Sequence, residues 1–407
     1  VEQQMKDQQT QQTERNLDFD RVIDRYHTDC LKYDFATERG RAADILPLWV
    51  ADMDFQISSY IQDALYEQVK HGIYGYTDTL DDYVDAVNGW AKKHYGYEIK
   101  KEDLVKTPGI VYAIAMAVQA FTKENEAVLI EQPVYYPFSG VIQDNHRKLV
   151  SNDLVYDEET HTYSVDFDDF EKKIVENNVR LFLLCNPHNP VGKAYTKEEL
   201  AHMGEICSKH GVTVFSDEIH ADFIWDGPHQ AFITAKEGLD QIAVTATAPS
   251  KTFNLAGLQV SNIVIKNKEL KKKFKAAIDA SGYSQLNAAG LTACKAAYQH
   301  GEVWYEAVKQ YIKDNIAFME NYLETNSPQL KMIHPQATYL TWVDCRALGL
   351  SDTELENFIE NKAHLWLDGG FIFGKTGRGF ERFNVACPRK TLEKALEQLK
   401  NAISTIL

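Results

Sequence analysis

Four short runs of unbroken apolarity in the middle of the chain constrain its fold more than any other feature. They are "AVLIE" (127–131), "LFLLC" (181–185), "VTVFS" (212–216) and "AVTATA" (243–248). Alternating apolar and polar residues would mark strands with one wet face. Continuous apolarity marks strands covered on both faces, as in a parallel sheet. Between two of these runs, "TKEELAHMGEICSKHG" (196–211) pairs Thr196 with Glu199 as a capping box. It gathers Leu200, Met203, Ile206 and Cys207 on one helical face and stops at Gly211. Strand, helix and strand within about thirty residues make a βαβ unit, so the fold class is α/β.

The last third of the chain changes character. A long amphipathic helix is expected over 302–324, with Trp304, Val308, Tyr311, Ile312, Phe318, Tyr322 and Leu323 near helical spacing. A strand at "ATYLTWVDC" (337–345) follows, then a helix opened by a capping box at Ser351 and Glu354. A strand near "RFNVAC" (382–387) and a last helix, "TLEKALEQLKNAISTIL" (391–407), close the chain. Strands with helices on one side make a smaller α+β lobe, with its boundary near residue 300.

A chain of 407 residues is long enough for two domains. Its formal charge of −16 argues against a nucleic-acid or anionic-membrane partner, both of which would repel it. No apolar run approaches the roughly 18 residues that span a bilayer. Six scattered cysteines without paired spacing fit a reducing compartment. The polar, Gln-rich "VEQQMKDQQTQQTERN" carries no signal-peptide core and reads as a mobile tail. A cytoplasmic enzyme-sized protein is expected.

In open parallel sheets, ligands bind beyond the carboxyl ends of the strands. Tyr135 and Tyr136 follow the first run. Asn186, His188 and Asn189 of "NPHNPVG" follow the second, and Asp217, Glu218 and His220 of "DEIHAD" follow the third. Lys251, the one lysine in "IAVTATAPSKTFNLAGLQ", follows the fourth. Taken singly, each has an ordinary reading: a packed aromatic, an Asn-Pro turn, a helix cap, a solvated lysine. Together and in order they suit pyridoxal phosphate. That cofactor needs a lysine for its Schiff base and a carboxylate to keep its pyridine nitrogen protonated. It also needs an amide for its ring oxygen and an aromatic face for its ring. "TPGIVYAIAMAVQAF" (107–121) reads as a glycine turn opening an apolar helix, which would aim the amides of Gly109, Ile110 and Val111 at a phosphate. "GKTGRG" (374–379) lacks the strand-before, helix-after context of a phosphate loop, and His220 has no second histidine at metal-ligand spacing, so no metal site is expected.

"NPHNPVG", "SDEIHADF", "APSKTFNLAGLQ" and "RFNVACP" together resemble the fold-type-I pyridoxal-phosphate enzymes of the aspartate aminotransferase superfamily. "LPLWVADMDF" (46–55) and "YGYT" (74–77) resemble the branch of cystathionine β-lyase-like C–S lyases. The resemblance runs from about Phe19 to the C-terminus. It implies a large domain (51–300) with a mostly parallel seven-stranded sheet between helices, and a smaller α+β domain (301–407). Residues 19–50 would form an arm that joins the smaller domain, and 1–18 a disordered tail.

For the site, the resemblance implies Lys251 as the Schiff-base lysine, Asp217 as partner of the pyridine nitrogen, Asn189 on the ring oxygen and Tyr135 stacked on the ring. Arg382 would grip the substrate carboxylate in a bidentate pair, helped by the backbone N–H of Ala51. Tyr76 would reach the phosphate of a neighbouring subunit, making a homodimer. Three positions depart from the aminotransferase pattern: His220 stands for a tyrosine, Gln259 for an arginine and Ala248 for a serine. The phosphate would then rest more on Ser250, the 109–111 amides and Tyr76. The expected reaction is α,β-elimination of a cysteine S-conjugate such as cystathionine to a thiol, pyruvate and ammonia. Transamination, or a lyase that also acts as a regulatory binding protein, is the alternative. Tyr112, Trp225 and Tyr283 are candidates for the leaving-group pocket.

Overall fold

The computed structural model describes residue 15 and residues 17–406. Seven strands form the main sheet: β1 (Leu104–Thr107), β2 (Ala127–Ile130), β3 (Lys148–Ser151), β4 (Leu181–Cys185), β5 (Thr213–Asp217), β6 (Ala243–Thr247) and β7 (Ser261–Val264). Their order is β1-β7-β6-β5-β4-β2-β3. Neighbours from β6 to β3 pair in parallel, whereas β7 runs antiparallel to both β6 and β1. Only β7 is therefore reversed, and six strands point their carboxyl ends at one edge.

The unbroken apolarity of these strands has its expected cause. Val128, Ile130, Leu183, Phe215 and Val244 pack on one face with Ile114 and Ala117 of helix α1 (Ile110–Phe121). Leu129, Phe182, Leu184 and Val214 pack on the other with Leu200 and Met203 of helix α2 (Lys197–His210). The Thr196–Glu199 capping box forms, and Gly211 closes the helix in the left-handed conformation at φ 68°. The third strand sits one residue later than its sequence window, so Asp217 is its last residue rather than the first after it.

A second sheet of four strands comprises β8 (Lys331–Ile333), β9 (Leu340–Asp344), β10 (Asp368–Gly369) and β11 (Phe380–Asn384), in the order β8-β9-β11-β10. The last begins two residues before the expected "RFNVAC" window and places Arg382 at its centre. Helices α3 (Glu302–Asn326), α4 (Asp352–Asn361, with the Ser351–Glu354 capping box) and α5 (Arg389–Ile403) accompany it. Leu46–Pro47 pairs in parallel with Leu365–Trp366, so the N-terminal segment joins this C-terminal lobe. Gly301 separates α3 from the helix before it.

Residues 1–14 and 16 of the expected tail lie outside the described residues. Arg15 departs from a free tail: it pairs with Asp63 and its backbone N–H reaches Ser59 Oγ. This is an exposed charge pair of small energetic weight. All six cysteines are free.

Candidate active site

A cavity of about 280 Å³ opens at the carboxyl edge of the main sheet. Gly109 beyond β1, Tyr135 beyond β2, Asn189 beyond β4, Asp217 at the end of β5 and Lys251 beyond β6 all line it. Ile110, Val111, Ser250, His220 and Ala51 line it as well. The topology explains the convergence: one reversed strand leaves five of these groups on a single edge.

Lys251 sits on a one-turn helix, Pro249–Thr252, directly after β6. Its Nζ donates to the Ala51 carbonyl at 2.6 Å. Burial lowers the affinity of this amine for its proton, bringing its pKa to about 8; Asp52 and Asp217 oppose that shift and Arg382 adds to it. Asp217 is buried, and burial pushes its carboxyl up to about 7, against the Ile219 N–H that donates to its Oδ1 at 3.1 Å. Gly109 caps α1 at φ 97°, a conformation that favours glycine, and the first amides of the helix border the cavity.

Asn189 is held from two sides. Its carbonyl accepts the Tyr135 N–H at 3.0 Å, and its side-chain Oδ1 accepts from Arg382 Nη1 at 3.0 Å. Arg382 itself is buried, pairs with Asp368, donates to the Trp49 carbonyl at 2.8 Å and lies over the Phe373 ring. It does not line the cavity wall directly but stands behind Asn189. Its Nε is buried without a hydrogen-bond partner among the described residues.

His220 is buried, with Nδ1 unpartnered among the described residues and its ring edge-on to Tyr339. Burial holds its imidazole neutral. Tyr76 is 99% exposed and takes no part in the cavity of its own chain. Tyr112 lines the cavity, with Tyr283 packed against it at 5.5 Å between ring centroids. Trp225, a candidate for the leaving-group pocket or for simple packing, does not line it. Its indole N–H donates to the Thr338 carbonyl at 2.9 Å, which turns the ring into the core between the lobes.

Sequence reasoning missed several residues. Tyr339 OH donates to the Ala51 carbonyl at 3.0 Å. Gln259, noted only as a departure, lines the cavity at φ 50°. Asp222, in the "SDEIHADF" motif, takes Trp90 Nε1 at 3.0 Å, Tyr95 OH at 2.9 Å and the Thr252 hydroxyl. An aspartate so close to the motif was the available signal, but two of its partners, Trp90 and Tyr95, lie more than 100 residues away.

An amine and a carboxyl lining one cavity, with an amide, an aromatic ring and a helix N-terminus beside them, fit the chemistry of pyridoxal phosphate. A family model, aminotransferase class I and II, matches residues 46–399. The chain belongs to this family. It is 41% identical over 389 residues to the cystathionine beta-lyase PatB of Bacillus subtilis, covering 95% of this chain and 100% of the relative. Cystalysin of Treponema denticola, whose crystal structure contains pyridoxal 5'-phosphate, superposes with a TM-score of 0.92 at 34% identity, over 96% of this chain and 99% of that one. The pyridoxal-phosphate-bound C–S lyase of Staphylococcus hominis gives a TM-score of 0.88 at 33% identity, over 95% and 97%. Among the described residues of this family member, no helix is long and apolar enough to cross a membrane.

Proposed function

We propose that this chain is a pyridoxal-phosphate-dependent carbon–sulfur lyase that eliminates a thiol from cystathionine or a related cysteine S-conjugate, leaving pyruvate and ammonia. The observation that carries the reading is the Lys251 amine, tuned to about 8 and sharing one cavity with the buried Asp217 carboxyl. The names of the relatives favour elimination over transamination.

When bound, pyridoxal phosphate supplies an electron sink for the bonds at the substrate Cα. The chain supplies the rest. Lys251 Nζ removes the Cα proton and delivers a proton to the departing sulfur, which an amine with a pKa near 8 can do in both directions close to neutral pH. With the cofactor bound, Asp217 would hold a proton at its pyridine nitrogen, Asn189 would donate to its ring oxygen, and Tyr135 would cover its ring. His220 adds a neutral imidazole beside them. Ser250 and the amides of Gly109, Ile110 and Val111 receive the phosphate. Arg382, with the Ala51 N–H, binds the substrate carboxylate.

The same reading includes a homodimer in which Tyr76 of one subunit reaches the phosphate of the other, a cytoplasmic location, and a division into a large domain (51–300) and a smaller one. Incubation with cystathionine and no keto-acid acceptor tests it. Stoichiometric thiol and pyruvate are expected, and their absence after Lys251→Ala. Strict dependence on an acceptor would overturn it in favour of transamination.

A further inference from the structure

The loop from Trp49 to Phe55 carries the carbonyl that holds Lys251, and it is clamped from every side. Asn384 Nδ2 donates to the carbonyls of Val50 and Asp52, and Asn254 brackets Met53 and Phe55. The side chains of Asp52 and Asp54 turn instead toward the N-terminal segment. Arg25 Nη2 meets Asp52 Oδ2 at 2.6 Å and its Nη1 meets Asp54 Oδ1 at 2.6 Å. Lys32, wholly buried, meets Asp54 at 2.8 Å and lies 3.5 Å from Asp52 Oδ1. Tyr33 OH donates to Asp54 at 3.1 Å. Two cations thus face two carboxylates in a closed set, with the Cys387 thiol beside it.

A buried ion cluster is a weak source of stability, because desolvation offsets most of its attraction. This one adjoins the loop whose Ala51 carbonyl holds the Lys251 amine. Asp52 Oδ1 is buried and forms no hydrogen bond among the described residues, only the longer ion pair with Lys32. Asp52 directly follows Ala51, whose carbonyl accepts the hydrogen bond from Lys251 Nζ. We propose that Asp52, balanced by Arg25 and Lys32 of the N-terminal segment, is a positioning residue that sets the proton affinity of the Lys251 nitrogen.

The charged and titratable groups around Lys251 are Asp52, Asp217, Arg382 and His220; those around Asp52 are Arg25, Lys32 and Lys251, with Tyr339 and Asp54 adjoining. Burial is the largest influence on Lys251, and among its charged neighbours Asp52 opposes that influence most. Burial also acts against the Asp52 carboxylate, but Lys32 and Arg25 hold it ionised. The two cations therefore govern how much of the Asp52 charge reaches Lys251.

The inference rests on Lys251 as the cofactor lysine, and its test separates the two claims. The full-length protein loaded with pyridoxal phosphate is titrated with pH while its visible absorbance is followed. Asp52→Asn removes the negative charge and lowers the midpoint, by about one pH unit. Arg25→Gln leaves Lys32 to hold Asp52 ionised, unmasks its charge and raises the midpoint; Lys32→Met, with Arg25 kept, does the same and Lys32→Arg restores it. Should Lys32→Met not fold, Arg25→Gln still decides, because the Arg25 side chain is partly exposed. Loss of fold quality alone would not move the two midpoints in opposite directions. Midpoints that stay put or move together overturn this inference. Absorbance that survives Lys251→Ala overturns the assignment of Lys251 beneath it.

Discussion

Arg382 Nη1 donates to Asn189 Oδ1 at 3.0 Å, joining the centre of the four-stranded sheet to the loop that follows β4. Because the amide oxygen is taken, Asn189 has its Nδ2 donor left for the cavity. One guanidinium therefore orients Asn189 at the cavity wall, and in the proposed function it also binds the substrate carboxylate.

Replacing Arg382 with lysine should cost both roles. A lysine is a point donor and cannot hold Asn189, Trp49 and a carboxylate together. Loss of a charge-assisted pair of this kind costs about 2–3 kcal/mol, or roughly 30- to 150-fold in kcat/KM for cystathionine. Steady-state rates at constant pH measure it. An unchanged kcat/KM would reduce Arg382 to a structural brace.

Thr252 is the residue after the lysine, and its hydroxyl is one of three donors on the buried Asp222 carboxylate. Thr252→Val preserves shape but leaves a charged acceptor one donor short. Stability should fall by about 1–2 kcal/mol, read as a lower urea midpoint at unchanged slope. Turnover should fall as well, since the contact ties the lysine-bearing turn to the Trp90 helix. A full rate with a normal midpoint would sink the idea that this contact positions Lys251.

Glu131 gives a pH dependence of stability with a definite sign. It is buried, accepts from Tyr195 OH at 2.7 Å through Oε2, and has no partner for Oε1 among the described residues. Burial raises its pKa from 4.5 to about 8. The folded state thus holds a proton that the unfolded state has lost, and stability falls as pH climbs through that window. The contribution is whole below about pH 4.5 and gone above about pH 8, a span worth on the order of 5 kcal/mol. Glu131→Gln keeps the Tyr195 contact and cannot ionise. Urea midpoints at about pH 5 and about pH 8.5 should show the variant gaining on the parent at the higher value. Parallel shifts of the two proteins would show that Glu131 does not titrate in this range.

The parts of this molecule that were legible from sequence are those governed by local rules. The strands announced themselves because both faces are covered, and the capping boxes at Thr196 and Ser351 formed as their spacing required. Lys251, Asp217, Asn189 and Tyr135 were singled out because a parallel sheet delivers strand-end residues to one edge, and all four line the cavity there. What depended on contacts across the chain was not legible. Asp222 needs Trp90 and Tyr95, and Asp52 needs Lys32, pairs that no local spacing marks. The place of Trp225 stayed open for a related reason: an aromatic beside a motif can face the cavity or the core. The partner of its N–H, the Thr338 carbonyl, comes from the other lobe. Gln259 was seen only as a missing arginine, and its place in the cavity wall follows from a left-handed turn at the start of β7.

That wall also rests on Gly290, in the first turn of the helix Ala288–His300. A Cβ there would stand 2.5 Å from the Leu258 carbonyl oxygen and 2.5 Å from Val260 Cγ2. Neither can yield cheaply. Leu258 O already accepts from Asn287 Nδ2, and Val260 is buried and borders the cavity. Gly290→Ala would gain helix propensity, about 1 kcal/mol, and lose more to the clash, typically 1–3 kcal/mol with backbone displacement. The displaced segment is 258–260, which carries Gln259 and Val260 into the cavity. Weaker pyridoxal-phosphate retention on dialysis should therefore accompany a lower thermal midpoint. A variant that loses stability but keeps its cofactor as firmly as the parent would show that this wall does not bear on the phosphate.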